Sequence, residues 1–497
     1  MHRALLTHDV LLEIFEYMAA TAGQRMILKA CARVCTTFCE PALSVLWRDI
    51  GNMMVLFQLL KPNFCLADET CYSLPSYREQ YPYVLRGDIS PARFARFQKY
   101  ARYVRTVECR PACIPGIIDY TVFQQLHFLN HEQPLLPSLQ EYCCALDLRL
   151  NNWFYEVGYP ASHIEQNLQN LAVKAPFLNS LTLYGAGFRS DLTHLSAFKH
   201  LDSLNFGGSL FVLDFHLLRI LAEMGQLRVL KADTVDLSLD FNVTLPVVVF
   251  QALECLSLSA TTQQWIHLLS IISSPVLHTL SLHPTRDFTD VADIEDYRHS
   301  LDFLSSKYAS FLHGLHLSFR LSRTPPLTTS RYRYILDPLL SFYHLRSISI
   351  IFHHSSSALS LSENDVHDFA KAWSEATDIC LIFQCATPAP ALSSLIHFAR
   401  HCPNLRSLRL NALDFCAVPA VEQLHPFPLH HLTHLSITDD FWNSRHIPDP
   451  MAAARFLDTI FPHLEDDPLR DIEEWDFDGS RGAVNSHLRA LRLARQH

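Results

Sequence analysis

Glycine is scarce in this chain, 13 among 497 residues, and no segment uses it as a phosphate-binding loop would. Gly185-Ala186-Gly187 has neither the further glycine nor the lysine such a loop needs. Positive charge is thin as well. Against 50 Asp and Glu stand 40 Lys and Arg, the net charge is −10, and no basic run occurs, so no nucleic-acid partner is expected. Long apolar runs are missing too: residues 245–258 form the greasiest internal stretch, and Gln251 and Glu254 break it well short of a membrane span. The opening residues, Met1 to Asp9, hold no apolar core of signal-peptide length, so the expected location is cytoplasmic and/or nuclear.

Patterns of catalysis and metal binding are equally lacking. There is no H-E-x-x-H. The 14 cysteines are scattered through apolar segments, as reduced thiols would be, without a disulfide framework. Cys31, Cys35 and Cys39 recur every fourth residue, on one face if helical, but no fourth ligand follows at zinc spacing. They read as packing. Among 28 histidines, the pairs His353-His354 and His430-His431 have no cysteine or carboxylate partners at fixed spacing and read as solvated surface. Asp466-Asp467 and Glu473-Glu474 read as exposed charge. No active site, cofactor or metal is expected.

What is present is a folded, apolar chain, 49% hydrophobic and only 18% charged, too long for one core. Its first 50 residues read as a helical module. Thr7 is a good N-cap, Asp9 falls in the first turn, and Leu6, Val10, Leu11, Ile14, Phe15 and Met18 recur at three- and four-residue intervals. Leu28, Val34, Cys35 and Phe38 repeat the pattern in a second helix, and Pro41 stands where a third would begin. So short a module cannot bury all this apolar surface by itself, and some of it should face another protein.

These residues resemble the F-box. The phrase Leu6-Thr7-His8-Asp9-Val10-Leu11-Leu12-Glu13-Ile14-Phe15, with Val34-Cys35-Thr36-Thr37-Phe38 downstream, follows that family's Leu-Pro, acidic residue, paired aliphatics, Ile-Phe and Val-Cys-Arg-x-Trp. Thr7 stands for proline, Thr36 for arginine and Phe38 for tryptophan. The resemblance implies that Leu6, Asp9, Val10, Leu11, Ile14, Phe15, Met18, Leu28, Val34, Cys35 and Phe38 bind a Skp-type adaptor of a cullin–RING ubiquitin ligase.

From about residue 100 a second phrase returns, L-x-x-L-x-L or a close variant, starting at Leu178, Leu201, Leu227, Leu253, Leu277, Leu312, Leu345, Leu405 and Leu432. The first four steps are 23, 26, 26 and 24 residues, one leucine-rich repeat each. Weaker starts stand at Val104, Leu139, Ala376 and Ile472. Alternating apolar residues make each phrase a strand, and helical segments are expected at residues 213–224, 265–272, 366–376 and 392–401. Stacked, these units predict an α/β solenoid: an irregular leucine-rich-repeat horseshoe with parallel strands on the concave side and helices on the convex. The asparagine usual eight residues after the first leucine is absent, replaced for example by Ala186, Thr261 and Leu413.

The expected organisation is a helical module over residues 1–50, an irregular or helical, proline-bearing linker over 51–100, the solenoid over 101–484, and a capping helix over 485–497 through Leu488, Leu491 and Leu493. Glu40-Pro41-Ala42-Leu43, Phe369-Ala370-Lys371-Ala372-Trp373, Cys402-Pro403-Asn404-Leu405 and Phe461-Pro462-His463-Leu464 are similar to phrases in the expanded F-box families of mushroom-forming basidiomycete fungi. The function implied is a non-catalytic substrate receptor of an SCF-type ligase. A repeat scaffold without ligase assembly is the other reading. On the open strand face the larger side chains, Tyr184, Lys231, His316, Arg409 and His434, are the candidates for binding a target protein.

Overall fold

The computed structural model describes residues 7–19, 25–67, 83–108, 120–131, 133–146, 168–169, 171–185, 192–207, 211–232, 235–236, 246–285, 291–320, 332–353, 361–382, 389–411, 413–421, 430–438, 447–464 and 480–496. The chain divides into two compact units, residues 1–239 and 240–497.

In the second unit seven strands pair in parallel and in sequence order: Cys255–Ala260, Thr279–Pro284, Gly314–Arg320, Ser347–His353, Asp378–Ile382, Ser407–Asn411 and His434–Thr438. A strand opens two residues after the first leucine of each phrase. Register then stacks like on like. Leu256, Leu280, Leu315, Ile348, Ile379, Leu408 and Leu435 form one row, and Leu258, Leu282, Leu317, Ile350, Leu381, Leu410 and Ile437 the next. All fourteen are buried. The residues between them point to the opposite face and stay partly open, as a side-chain period of two requires.

A backbone device recurs at the start of each strand, where one carbonyl accepts two consecutive N–H groups from the next repeat. The Glu254 carbonyl accepts from His278 and Thr279, that of His278 from His313 and Gly314, and that of His313 from Arg346 and Ser347. Arg346, Thr377 and Arg406 continue the series. Because the device uses main-chain groups alone, it tolerates spacer lengths that differ between repeats.

The first unit repeats this with six parallel strands: Asp49–Ile50, Thr106–Glu108, Glu141–Leu146, Ser180–Gly185, Ser203–Gly207 and Val229–Ala232. The Arg48 carbonyl is the first double acceptor, taking the N–H groups of Arg105 and Thr106. The ladder therefore begins at Asp49 and not near residue 101. Its opening strand is two residues long and carries no leucine phrase. Nor is the segment 51–100 merely a connection. Phe57, Phe64 and Phe97 pack there, Phe57 with ring centroids 5.5 Å from Phe64 and 6.1 Å from Phe97, beneath the helix Pro91–Ala101. The weak starts at Val104, Leu139 and Ala376 do lead into strands. The one at Ile472 lies outside the described residues.

Helices fill the spacers close to the expected places: Phe215–Glu223, Thr262–Ile271, Glu363–Ala372 and Leu395–His401. Each of the first three has its own cap. The Asp214 carboxylate accepts from the Leu217 N–H at 2.7 Å, and Thr261 and Gln264, like Ser362 and Asp365, cap each other reciprocally. Thr261 is one of the residues standing where the repeat's asparagine would be; it starts a helix instead. At the C-terminal end the helix Ser480–Gln496 buries Val484 and Leu488, whereas Leu491 is only partly covered and Leu493 is exposed, so of the three expected capping leucines only Leu488 is fully buried. Among the described residues no helix is long and apolar enough to cross a membrane.

Gly314 shows how closely the strands fit. A Cβ there would lie 2.9 Å from Thr279 Oγ1 and 3.1 Å from its Cγ2. The Thr279 hydroxyl is in turn 3.0 Å from His278 Nδ1. Gly314→Ala is expected to lower stability by about 1–3 kcal/mol, the usual range for overpacking. Adding Thr279→Ala removes both opposing atoms and should restore most of the loss. Thermal unfolding of the single and double variants checks this; equal Tm for the two would discard the steric account.

Candidate functional site

The N-terminal module consists of α1 (His8–Ala19), α2 (Arg25–Cys31) and α3 (Thr36–Leu46). The single second helix expected through Leu28 and Phe38 is in fact two helices. Past Cys31 the chain tightens into three-residue turns, Arg33 N–H to Ala30 carbonyl and Val34 N–H to Cys31 carbonyl, and Cys35 is extended. Pro41 lies inside α3 rather than at a helix start, buried, with the Ser44 hydroxyl donating to its carbonyl at 2.8 Å. Cys31, Cys35 and Cys39 accordingly share no helical face.

The module's core is Leu11, Phe15, Leu28, Ala42 and Val45, with Met18, Cys31 and Phe38 packed against it. Phe15 and Phe38 meet edge to face at 5.8 Å. Polar contacts fix the module to the first strand and helix of the ladder. Arg48 pairs with Glu16, and Arg25 donates to the Leu46 and Asp49 carbonyls at 3.2 and 3.3 Å. Glu40 accepts from the Tyr103 hydroxyl and from Arg102, and Trp47 lies 4.6 Å from Tyr100. The Tyr103 hydrogen bond, then the charges of Lys99 and Arg102, hold the Glu40 carboxyl below its ordinary value. These groups are half exposed, so each pair contributes no more than about 1 kcal/mol.

The face the module leaves open differs from the one read from the sequence. Leu11, Phe15 and Leu28 point inward; Val10, Met18, Cys35 and Phe38 are half-buried; Asp9, Ile14 and Val34 are exposed. Leu6 lies outside the described residues. Neighbouring residues on a helix stand about 100° apart, so Ile14 and Phe15 face different ways. Three further apolar residues are open: Tyr17 at 83%, Met26 at 68% and Ile27 at 46%, beside Val34 at 64% and Ile14 at 38%. The spacing of Ile14 and Tyr17, three apart on α1, was the available signal for Tyr17.

The second surface is the open strand face. In the second unit Ser257, Ser281, His316, Ser349, Cys380, Arg409 and Ser436 occupy one row across the seven strands. His316 and Arg409 are three strand steps apart, roughly 14 Å at 4.8 Å per step. Burial, then the neighbouring His283, lowers the His316 pKa. Cys380 is pushed up by burial, opposed by hydrogen bonds with Ser349 and Arg409. His434 is exposed and sits on the next row, beside Ser407. In the first unit Lys231 is exposed opposite Asn205, and the Tyr184 backbone stands opposite Ala145 and Gly207. The structure thus brings His316, Arg409 and His434 onto one face of the second unit, with Tyr184 and Lys231 in the first.

In each unit the parallel ladder of leucine phrases and spacer helices is that of a leucine-rich-repeat type of α/β solenoid. No family model matches the chain, and no curated protein matches it. Among solved structures it is similar to an internalin from Listeria monocytogenes, at 13% identity over 95% of both chains with a TM-score of 0.28. A leucine-rich-repeat protein from Leptospira interrogans is similar at 13% identity over 67% of this chain and 90% of its own, with a TM-score of 0.20. Superpositions this loose add nothing to the class, which follows from the register of this chain's own strands.

Proposed function

We propose that this chain is the substrate-recognition subunit of an SCF-type cullin–RING ubiquitin ligase, its helical module binding a Skp-type adaptor and its open strand face holding a target protein. The observation that carries the reading is the exposure of Ile14, Tyr17, Met26, Ile27 and Val34 on a small helical module whose sequence resembles the F-box. In this role the chain is not an enzyme and works in the cytoplasm and/or nucleus. Its mechanism is positioning: by tethering the target it raises the target lysine's effective concentration near the charged ubiquitin-conjugating enzyme.

Co-expression of the full chain with a Skp-type adaptor, followed by capture, tests this. Adaptor and cullin are expected to co-purify with the folded chain. Folded chain that retains neither would leave the second reading, a repeat scaffold outside any ligase. What favours that reading is Thr36, exposed at the start of α3, where the family's arginine would bring charge.

For the target, His316→Ala with Arg409→Glu is expected to strip bound target proteins while adaptor binding is unchanged. Arg409 is exposed and His316 half-buried, so unchanged adaptor binding together with the thermal midpoint reports that the double variant is folded. Quantitative capture from cells compares the variants. A double variant holding an unaltered set of targets would move recognition off this row.

A further inference from the structure

On the helix side of the second unit two neighbouring repeats bring three histidines together. His367 stands on the helix Glu363–Ala372, and His397 and His401, four apart and so on one helical face, stand on Leu395–His401. The three offer nitrogen atoms that all lie within 4.8 Å of one another. His367 Nδ1 is 3.2 Å from His397 Nδ1. A tetrahedral metal with nitrogen ligands at 2.0–2.1 Å holds them roughly 3.3–3.4 Å apart, so two of the three already have the spacing of a coordination edge. The His401 nitrogen, within 4.8 Å of the other two, has to move closer to complete the set. All three side chains are partly open, which leaves an entry path.

We propose that His367, His397 and His401 form a binding site for a divalent transition metal of the zinc class, joining two adjacent repeats. A second observation supports the assignment. With Nδ1 of His397 turned to the metal, its Nε2 lies 3.6 Å from Glu363 Oε1, the carboxylate–imidazole–metal arrangement that orients ligating histidines and raises their basicity. Glu363 is itself held by the Ser393 hydroxyl at 3.3 Å. Burial first, then the neighbouring histidines and the positive charges of Arg400 and Lys371, keeps His401 below the ordinary imidazole value. Burial and His367 lead the same shift at His397. Neutral imidazole is the ligating form, although Arg400 and Lys371 also oppose an incoming cation, and Glu363 offsets part of that opposition. Three nitrogen ligands leave a fourth position for water or for a group on a bound partner. The competing account is a hydrogen bond between two neutral imidazoles with no metal at all.

The full chain, stripped with a chelator and titrated with Zn²⁺ and Co²⁺, separates the two. One equivalent of cobalt should give the visible absorption of a tetrahedral nitrogen site. Zinc at a hundredfold excess over its Kd should raise Tm by on the order of 5 °C. His367→Ala and His401→Ala should each abolish both signals, with the metal-free Tm reporting whether the variant is folded. Glu363→Gln, at an exposed side chain, should weaken zinc binding tenfold to a hundredfold and carries the test if a histidine variant fails to fold. No zinc-dependent shift in the native chain overturns the proposal. So does a shift that survives in folded histidine variants, or affinity unchanged by Glu363→Gln where neither histidine variant folds.

Discussion

Phe15→Ala is expected to destabilise the N-terminal module by about 3–5 kcal/mol, whereas Ile14→Asp with Val34→Asp should leave it folded and remove adaptor binding. The contrast rests on where adjacent residues point. Phe15 is 2% exposed, packs on Phe38 and closes the core of Leu11, Leu28, Ala42 and Val45. Truncating it leaves a cavity in a core too small to collapse around it. Ile14 and Val34 touch water in the free chain, so a charge there costs little until a partner covers it. Forced into a dry interface, an unpaired carboxylate costs at least about 2 kcal/mol, which is roughly a thirtyfold loss of affinity per site. Hydrogen–deuterium exchange over residues 8–19 reports the first effect, and titration of a Skp-type adaptor reports the second. If the Ile14→Asp, Val34→Asp variant binds adaptor as tightly as the native chain, the exposed face is not the docking surface.

How much of this was legible in the sequence varies with the range of the interaction. The leucine phrases announced their strands because a buried row needs an apolar side chain at each repeat, which is a local requirement. Even the degenerate phrase at Ala376 kept Ile379 and Leu381 for the two rows. The two-residue strand Asp49–Ile50 places only one apolar residue in the ladder, Ile50 opposite Val107, too little to show as a phrase. The Arg48 carbonyl also holds it, and main-chain bonding adds no residue pattern to read. Within the module, period alone could not tell inward from outward residues, since that depends on which helix lies opposite. Proline chemistry misled in the same way. Pro41 normally costs a helix interior about 3 kcal/mol, yet here it is buried inside α3, and tertiary burial overrides propensity. The histidine trio was out of reach for a simpler reason. His397 and His401 share a helix, but His367 joins them from 30 residues earlier, a distance that only repeat stacking makes short.

His430 is the clearest correction to the reading of paired histidines as solvated surface, and it supplies the second large effect. It is 1% exposed; His431, its neighbour, is exposed as expected. Its Nε2 lies 2.8 Å from the Cys402 carbonyl of the preceding repeat, and its Nδ1 accepts the Leu432 N–H at 3.1 Å. A carbonyl on one side and a donor on the other fix one neutral tautomer, with the proton on Nε2. Burial first lowers its pKa, and the bond to the Cys402 carbonyl pulls the other way. The unfolded chain therefore takes up this proton more readily than the folded one. Stability from His430 is complete above the unfolded value near 6.5 and is lost as pH falls from there toward the lowered folded value, at up to about 1.4 kcal/mol per pH unit. His316, His397 and His401 are lowered as well and add slopes of the same sign, so the informative quantity is the difference between native chain and variant. His430→Leu fills the space but strands the buried Leu432 N–H and leaves the Cys402 carbonyl with the Leu405 N–H alone, for an expected loss of about 3 kcal/mol. His430→Asn keeps an acceptor two residues before Leu432, as in an Asx turn, and should lose only about half as much. Both should unfold with a shallower pH dependence than the native chain as pH falls below about 6.5. Parallel stability curves across that window, in variants that are otherwise destabilised, would show that the ring is held by packing and not by its two hydrogen bonds.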